Sequence, residues 1–226
     1  MARLSEEHPD GWGVASWEPD HRWTVRRGLL RAGEDLAFHE LADSLVGELV
    51  IVHVRQKTHG PTTMENTHPF VAGQWAFAHN GKIADIGFLE ASLSLERRAR
   101  LRGDTDSERL FGYILTRFDQ AGIEADTGPH RIAARLRTIA DELRAHPGLG
   151  TASFLLSNGD ALFAYRQGAP LHLLRRHAPQ DSCRDCLGSP CVAVTTEPLT
   201  DDPWLPLEDG DLVRLSPTPL PAWVRV

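Results

Sequence analysis

The chain is poor in cysteine, lysine and long apolar runs, and each shortage excludes a class of function. Its three cysteines, Cys183, Cys186 and Cys191, are odd in number and crowded into one late stretch. That argues against the disulfide framework of a small secreted domain. Lys57 and Lys82 are the only lysines, so arginine carries nearly all the positive charge. Even so, 24 basic residues face 31 acidic ones, for a net charge of −7. No basic field exists to hold nucleic acid or an anionic membrane. No apolar stretch approaches the roughly 20 residues of a membrane span, and the start has no signal-peptide core. These absences predict a cytoplasmic protein with neither nucleic acid nor membrane as partner.

What is present fits a packed globular chain. Hydrophobic residues make up 41% and charged residues 24% of 226 positions, which excludes disorder as the main state and allows a substantial core. One domain spanning residues 1–226 is the expected organisation, with no internal repeat. Trp12–Trp17 and Arg22–Arg26 read as short strands around the Glu18-Pro19-Asp20 turn. Asp35–Leu45 has helical spacing, and Leu49–Arg55 is the clearest strand, rich in β-branched residues. Trp75–His79 runs into Asn80-Gly81, a hairpin signal, and on to Lys82–Asp85 as the return strand.

Thr105-Asp106-Ser107-Glu108 fits a capping box ahead of an amphipathic helix through Phe118, and a second helix runs through Ile132 and Leu143 to His146-Pro147-Gly148. Ala152–Leu156, Ala161–Tyr165, Leu171–Leu174, Cys191–Thr195 and Leu212–Leu215 then read as strands, the first two joined through Asn158-Gly159. His177–Pro190 reads as a flexible loop. Strands, then helices, then strands predict an α+β fold of sheets packed on one another under helices, rather than a βαβ alternation.

Four segments in order resemble the class II glutamine amidotransferases. They are Asp10-Gly11-Trp12-Gly13; His53-Val54-Arg55 through Thr58-His59-Gly60; Asn66-Thr67-His68-Pro69-Phe70 leading to Ala78-His79-Asn80-Gly81; and Gly103-Asp104-Thr105-Asp106-Ser107-Glu108. Val192 to Trp204 is similar to the family's closing strands. The subgroup most resembled is that of the small stand-alone proteins, which includes the γ-glutamyl amidohydrolase of ergothioneine synthesis. The resemblance implies an N-terminal-nucleophile fold, an αββα sandwich of two stacked antiparallel sheets between helical layers. It also implies attack of an N-terminal cysteine thiol on a glutamine side-chain amide, with the α-amine as base and donors aimed at the oxyanion. The candidate partners it implies are a small-molecule substrate, glutamine or a γ-glutamyl compound, and an ammonia-accepting enzyme; no cofactor is needed.

Carried over residue by residue, the resemblance gives Arg55 the α-carboxylate of the substrate, a task suited to a planar fork of donors. Asp106 matches the residue that takes the α-ammonium, although a first-turn acid also stabilises a helix N-terminus. Asn80 and Gly81 match the oxyanion hole, and Thr58 and His59 a supporting loop of the pocket. Trp12 and Phe70 are expected to pack beside that pocket. His53, His68 and His79 invite a metal reading, but they lack compact ligand spacing. Cys183, Cys186 and Cys191 form C-x2-C-x4-C with His177 as a candidate fourth ligand; the spacing matches no standard zinc site, and reduced thiols are the expected state.

The sequence departs from this pattern at its start. Relatives of the subgroup begin Met-Cys-Arg-Leu, whereas this chain begins Met1-Ala2-Arg3-Leu4. Only Ser5 to Pro9 then precede Asp10, too few for the strand and helix the family carries there. The expectation is a chain without the first strand and its nucleophile, inactive on glutamine as given. A non-catalytic γ-glutamyl binding module and a zinc hydrolase using the late cysteines are the alternatives.

Overall fold

The computed structural model describes residues 3–176, 190–217 and 221–226. A short 3-10 turn, Arg3–Glu6, precedes strands β1 (Trp12–Trp17) and β2 (Trp23–Gly28), helix α1 (Leu36–Ser44) and strand β3 (Val50–Val54). Next come β4 (Phe70–Ala72), β5 (Trp75–Asn80) and the helices α2 (Ile86–Ser92), α3 (Leu95–Ala99), α4 (Asp106–Gln120) and α5 (Pro129–Ala145). The remainder is β6 (Ser153–Ser157), β7 (Leu162–Tyr165), β8 (His172–Arg176), β9 (Cys191–Thr195), β10 (Leu205–Pro206), β11 (Leu212–Ser216) and β12 (Ala222–Arg225). None of the described helices is long and apolar enough to cross a membrane.

All strand pairings are antiparallel. They build a six-stranded sheet, β12-β11-β7-β6-β5-β4, and two three-stranded sheets, β2-β1-β3 and β10-β8-β9. Two-residue alternation along the strands sorts side chains into layers. Phe77, Phe154, Phe163 and Tyr165 face α4 and α5, packing on Phe111, Ile114, Ile132 and Leu136. Their neighbours Ala76, Ala78, Leu162 and Ala164 face the other way, against Trp17 and Ile51 of one small sheet and Leu173 of the other. Val50, Val52 and Val54 turn outward again, toward Trp12, Phe38 and α1. The order of layers is therefore helix, paired small sheets, large sheet, helices, the αββα sandwich that the resemblance implies.

Local signals account for most boundaries. Asp35 caps α1 by accepting from the Ala37 N–H at 3.1 Å. The Asn158-Gly159 turn joins β6 to β7 as a hairpin. The other hairpin expectation is wrong. β5 pairs with β4 and β6, and Lys82–Asp85 forms no strand beyond an isolated bridge between Ile83 and Gly150. Asn80-Gly81 ends a central strand, and the chain continues into the Asp85 cap of α2. The capping box is half realised: Thr105 accepts from the Glu108 N–H at 3.2 Å, but Glu108 accepts from the Arg102 and Gly103 N–H groups, not from Thr105.

Candidate functional site

One cavity of about 150 Å³ opens where β5 ends, bounded by β3, the loop after it, the first turn of α4 and the end of β9. Strand parity explains its contents. On β3, His53 and then Arg55 follow Ile51 toward the large sheet, while Val52 and Val54 face α1. On β5, Asn80 follows Ala76 and Ala78 between the sheets, while His79 follows Phe77 toward α4. Arg55, Thr58, His59, Asn80, Gly81 and Asp106, all six residues singled out from the sequence, line this one cavity.

Arg55 is 4% exposed and anchored from both sides. Its guanidinium donates to the carbonyls of Pro61 (3.2 Å) and His59 (3.1 Å), and its backbone exchanges hydrogen bonds with Gly11 and Asp10. Asp10 also accepts from the Lys57 N–H at 2.8 Å, so the Asp-Gly turn fixes the strand end that carries the arginine. Burial lowers the Arg55 pKa, and the Asp10 charge opposes that shift. Two of five guanidinium N–H groups are spent on the loop, which leaves donors for an anion.

Asp106, 2% exposed, is the first residue of α4. One carboxylate oxygen accepts from the Ser107 N–H at 2.9 Å, and the other accepts from the Ile83 N–H at 2.7 Å. The first bond is the helix-capping role expected of a first-turn acid. The second reaches across to the segment that follows Gly81. Asn80 is half-buried, and its carboxamide has no hydrogen-bond partner among the described residues. Gly81 sits so close to the Thr151 carbonyl that a Cβ would overlap it.

The residues that sequence reasoning set aside are the histidines. The His53 and His68 rings lie 4.2 Å apart between centroids, tilted by 37°, and both line the cavity with His79 and His8. Both ring nitrogens of His68 and Nδ1 of His53 are buried without partners. Burial drives the His53 pKa down to about 3, with the neighbouring His8, His79 and Arg55 charges adding to it and a hydrogen bond to the His79 backbone opposing. Burial likewise carries His68 well below its ordinary range and lowers His79, the latter against the pull of Asp106. His79 is held by Ser107 Oγ at 2.9 Å and the Thr151 carbonyl at 3.1 Å. The alternation along β3 and β5 was the available signal that His53 and His79 lie inward.

Other expectations fall differently. Trp12 lies away from the cavity, edge-on to Phe38 with Nε1 donating to Asp35 at 2.8 Å, so it packs α1 rather than the pocket. Phe70 does lie beside it, 4.6 Å from the His68 ring. Gly13 serves the site indirectly: a Cβ there would collide with the His68 carbonyl, so the glycine lets the 68–69 backbone lie on β1. Thr195, Thr196 and Glu197 complete the wall. Cys191 is the exposed first residue of β9, whereas Cys183, Cys186 and His177 lie outside the described residues.

Comparison with known proteins bears on the family and the fold. An uncharacterized protein of Methanocaldococcus jannaschii is 29% identical over 92% of this chain, which spans 61% of that protein's length. Escherichia coli YafJ is 28% identical over 90% of this chain and 84% of its own. A γ-glutamyl-hercynylcysteine sulfoxide hydrolase of Mycobacterium tuberculosis is 28% identical over 92% of this chain and 75% of its own. The crystal structure of a predicted glutamine amidotransferase from Pseudomonas aeruginosa superposes with a TM-score of 0.66 at 27% identity, covering 91% of this chain and 84% of that one. The family model for glutamine amidotransferases class-II matches residues 2–185, and the chain belongs to that family.

Proposed function

We propose that this chain forms the substrate pocket of an amidohydrolase that cleaves the side-chain amide of glutamine, or of a γ-glutamyl compound, through a cysteinyl thioester. The observation that carries this reading is the convergence of a buried guanidinium, a buried carboxylate and an unpartnered carboxamide on one small cavity. Arg55 holds the α-carboxylate with its remaining donors, and Asp106 holds the α-ammonium. That fixes both ends of an amino-acid head group and leaves the side-chain amide toward Asn80 and Gly81. As a thiol adds to the amide carbon, the carboxamide of Asn80 and the N–H of Gly81 donate to the oxyanion. Collapse expels ammonia, which takes the proton relayed from the thiol. Water then cleaves the thioester, releasing the carboxylic acid and restoring the thiol. Similarity to a γ-glutamyl-hercynylcysteine sulfoxide hydrolase supports a γ-glutamyl compound as readily as glutamine itself.

No cysteine is among the residues lining the cavity. We assign the nucleophile to an N-terminal cysteine on a strand preceding the described residues, and the chain as given to an inactive state. Two features support a place for that strand. β3 pairs only with β1 and β9 only with β8 among the described residues, and the ends of both border the cavity. Because residues near 55 and near 195 share one cavity wall, the pocket supports a single domain over 1–226. The odd number of cysteines, all late in the sequence, favours a cytoplasmic setting, and an ammonia-accepting enzyme is the partner this chemistry would serve.

The test compares two proteins. The chain as given should release no ammonia from glutamine or γ-glutamyl analogues. A form extended by in-frame upstream codons to an N-terminal cysteine should release it, and Cys→Ala in that form should abolish release without unfolding. Glutamine-dependent ammonia release by the chain as given, free of contaminating glutaminase, would falsify the assignment. A second reading is a non-catalytic γ-glutamyl binding module, supported by a cavity that carries charged head-group partners but no cysteine among its lining residues. Tight glutamine binding with no ammonia release from the extended form would select it.

A further inference from the structure

A second, larger cavity of about 560 Å³ lies on the other side of the 64–70 segment from the catalytic pocket. Its volume falls in the range of small-molecule sites. Its floor is apolar: Phe70, Phe111 and Leu115 are buried beneath it. Met64 and Val71 stand at its edge 43% and 36% exposed, which is apolar surface left open beside a buried floor. The two cavities share a wall, since Asn66 and His68 line the smaller one while Met64, Glu65 and Phe70 line the larger.

The charges around the larger cavity do not balance among the described residues. Arg97 is held by both carboxylate oxygens of Asp119, and Arg100 is paired with Glu96. Glu108 is occupied by the N–H groups of Arg102 and Gly103 and by Arg109 at 3.8 Å. That leaves Arg27 and Arg102 facing one carboxylate, Glu65. The Arg102 guanidinium has no hydrogen-bond partner among the described residues. Arg27 donates one N–H to the Pro69 carbonyl, but its Nε is buried with no partner. The exposed Arg102 guanidinium therefore keeps its donors available to an incoming anion, and Arg27 adds a second positive charge to the same cavity wall.

We propose that this cavity binds a small organic anion, a carboxylate or phosphate monoester carried on an aromatic or branched apolar body. Arg27 and Arg102 take the anionic head, and Phe70, Phe111 and Leu115 take the body. The site is separate from the amide-cleaving pocket and does not depend on the chain having a nucleophile. Its demand for both a charge and an apolar body distinguishes it from a patch that condenses any anion.

Phenyl phosphate serves as probe, titrated calorimetrically into the chain as given, with inorganic phosphate and benzyl alcohol as partial probes. One saturable site per chain is expected for phenyl phosphate, and at least tenfold weaker binding for each partial probe. Arg102→Met should weaken phenyl phosphate at least tenfold, and so should Met64→Glu, which places a carboxylate at the cavity edge. Both positions are exposed, so neither change should unfold the chain; thermal melting checks this. Absence of saturable binding overturns the proposal, as does equal affinity for inorganic phosphate or benzyl alcohol. Unchanged affinity in both folded variants overturns it as well.

Discussion

Asp106 accepts a hydrogen bond from the Ile83 N–H at 2.7 Å, linking the first turn of α4 to the segment that leaves Gly81. One buried carboxylate thus ties the proposed ammonium site to the proposed oxyanion site. Asp106→Asn keeps an acceptor for Ile83 and loses the charge. It should abolish glutamine binding by a competent form while costing about 1 kcal/mol of stability or less. Asp106→Ala leaves the Ile83 N–H buried without a partner and should cost about 1–3 kcal/mol. Urea unfolding of both variants, beside calorimetry with glutamine, separates the two roles. Equal destabilisation by Asn and Ala would show that Asp106 is not the latch described here.

Arg55 should show a mixed phenotype. Its guanidinium holds the carbonyls of His59 and Pro61 as well as facing the cavity. Arg55→Ala should therefore weaken glutamine binding by about 2–5 kcal/mol, the range for breaking a desolvated charge pair, and loosen the loop around residues 59–61. Hydrogen exchange should report faster opening of that loop. Affinity that survives the substitution would remove Arg55 from the head-group site.

Gly81 has no room for a side chain. A Cβ there would overlap the Thr151 carbonyl and lie 2.7 Å from His79 Nε2. Gly81→Ala should force the backbone off Thr151 at a cost of about 1–3 kcal/mol, displacing the N–H assigned to the oxyanion. In an extended, cysteine-bearing form the loss should fall on kcat more than on KM. A fully active Gly81→Ala enzyme would argue against that donor.

The layers of this fold were legible in the sequence where burial follows a short period. Trp12–Trp17 and Cys191–Thr195 are strands over the residues expected, and Asp35 caps the helix expected to follow it. Asn80-Gly81 misled because a local hairpin signal competes with partners far along the chain. Ser153 pairs with Asn80, and Asp106 captures Ile83, so the turn never closes on itself. The short elements β4, β10 and α3 carry too few residues to show a period, and their placement comes from packing on neighbours. The six proposed site residues were reached through motif resemblance. His53 and His79 were legible from the alternation of β3 and β5, whereas His68 lies in a bend before β4, where no period signals its burial.

That histidine group should dominate the acid side of the stability profile. His53, His68 and His79 all have pKa values lowered by burial in the folded chain, His53 from 6.5 to about 3. Unfolding exposes them and returns each toward 6.5. Above that value both states are neutral and no pH dependence arises. Below it the unfolded chain takes up protons that the folded chain refuses, so stability falls with pH, and for His53 the fall continues until about 3. A histidine that stays neutral in the folded chain, as His53 does down to about 3, contributes a slope of up to about 1.4 kcal/mol per pH unit below 6.5, and His68 and His79 add in the same direction. Against a net stability of ~5–15 kcal/mol, this should destabilise the chain measurably in mild acid. Urea midpoints measured between about pH 7 and about pH 5 should drop as pH falls, and His53→Gln should flatten the slope. A flat profile over that interval, or a slope untouched by His53→Gln, would mean the buried rings take up protons in place.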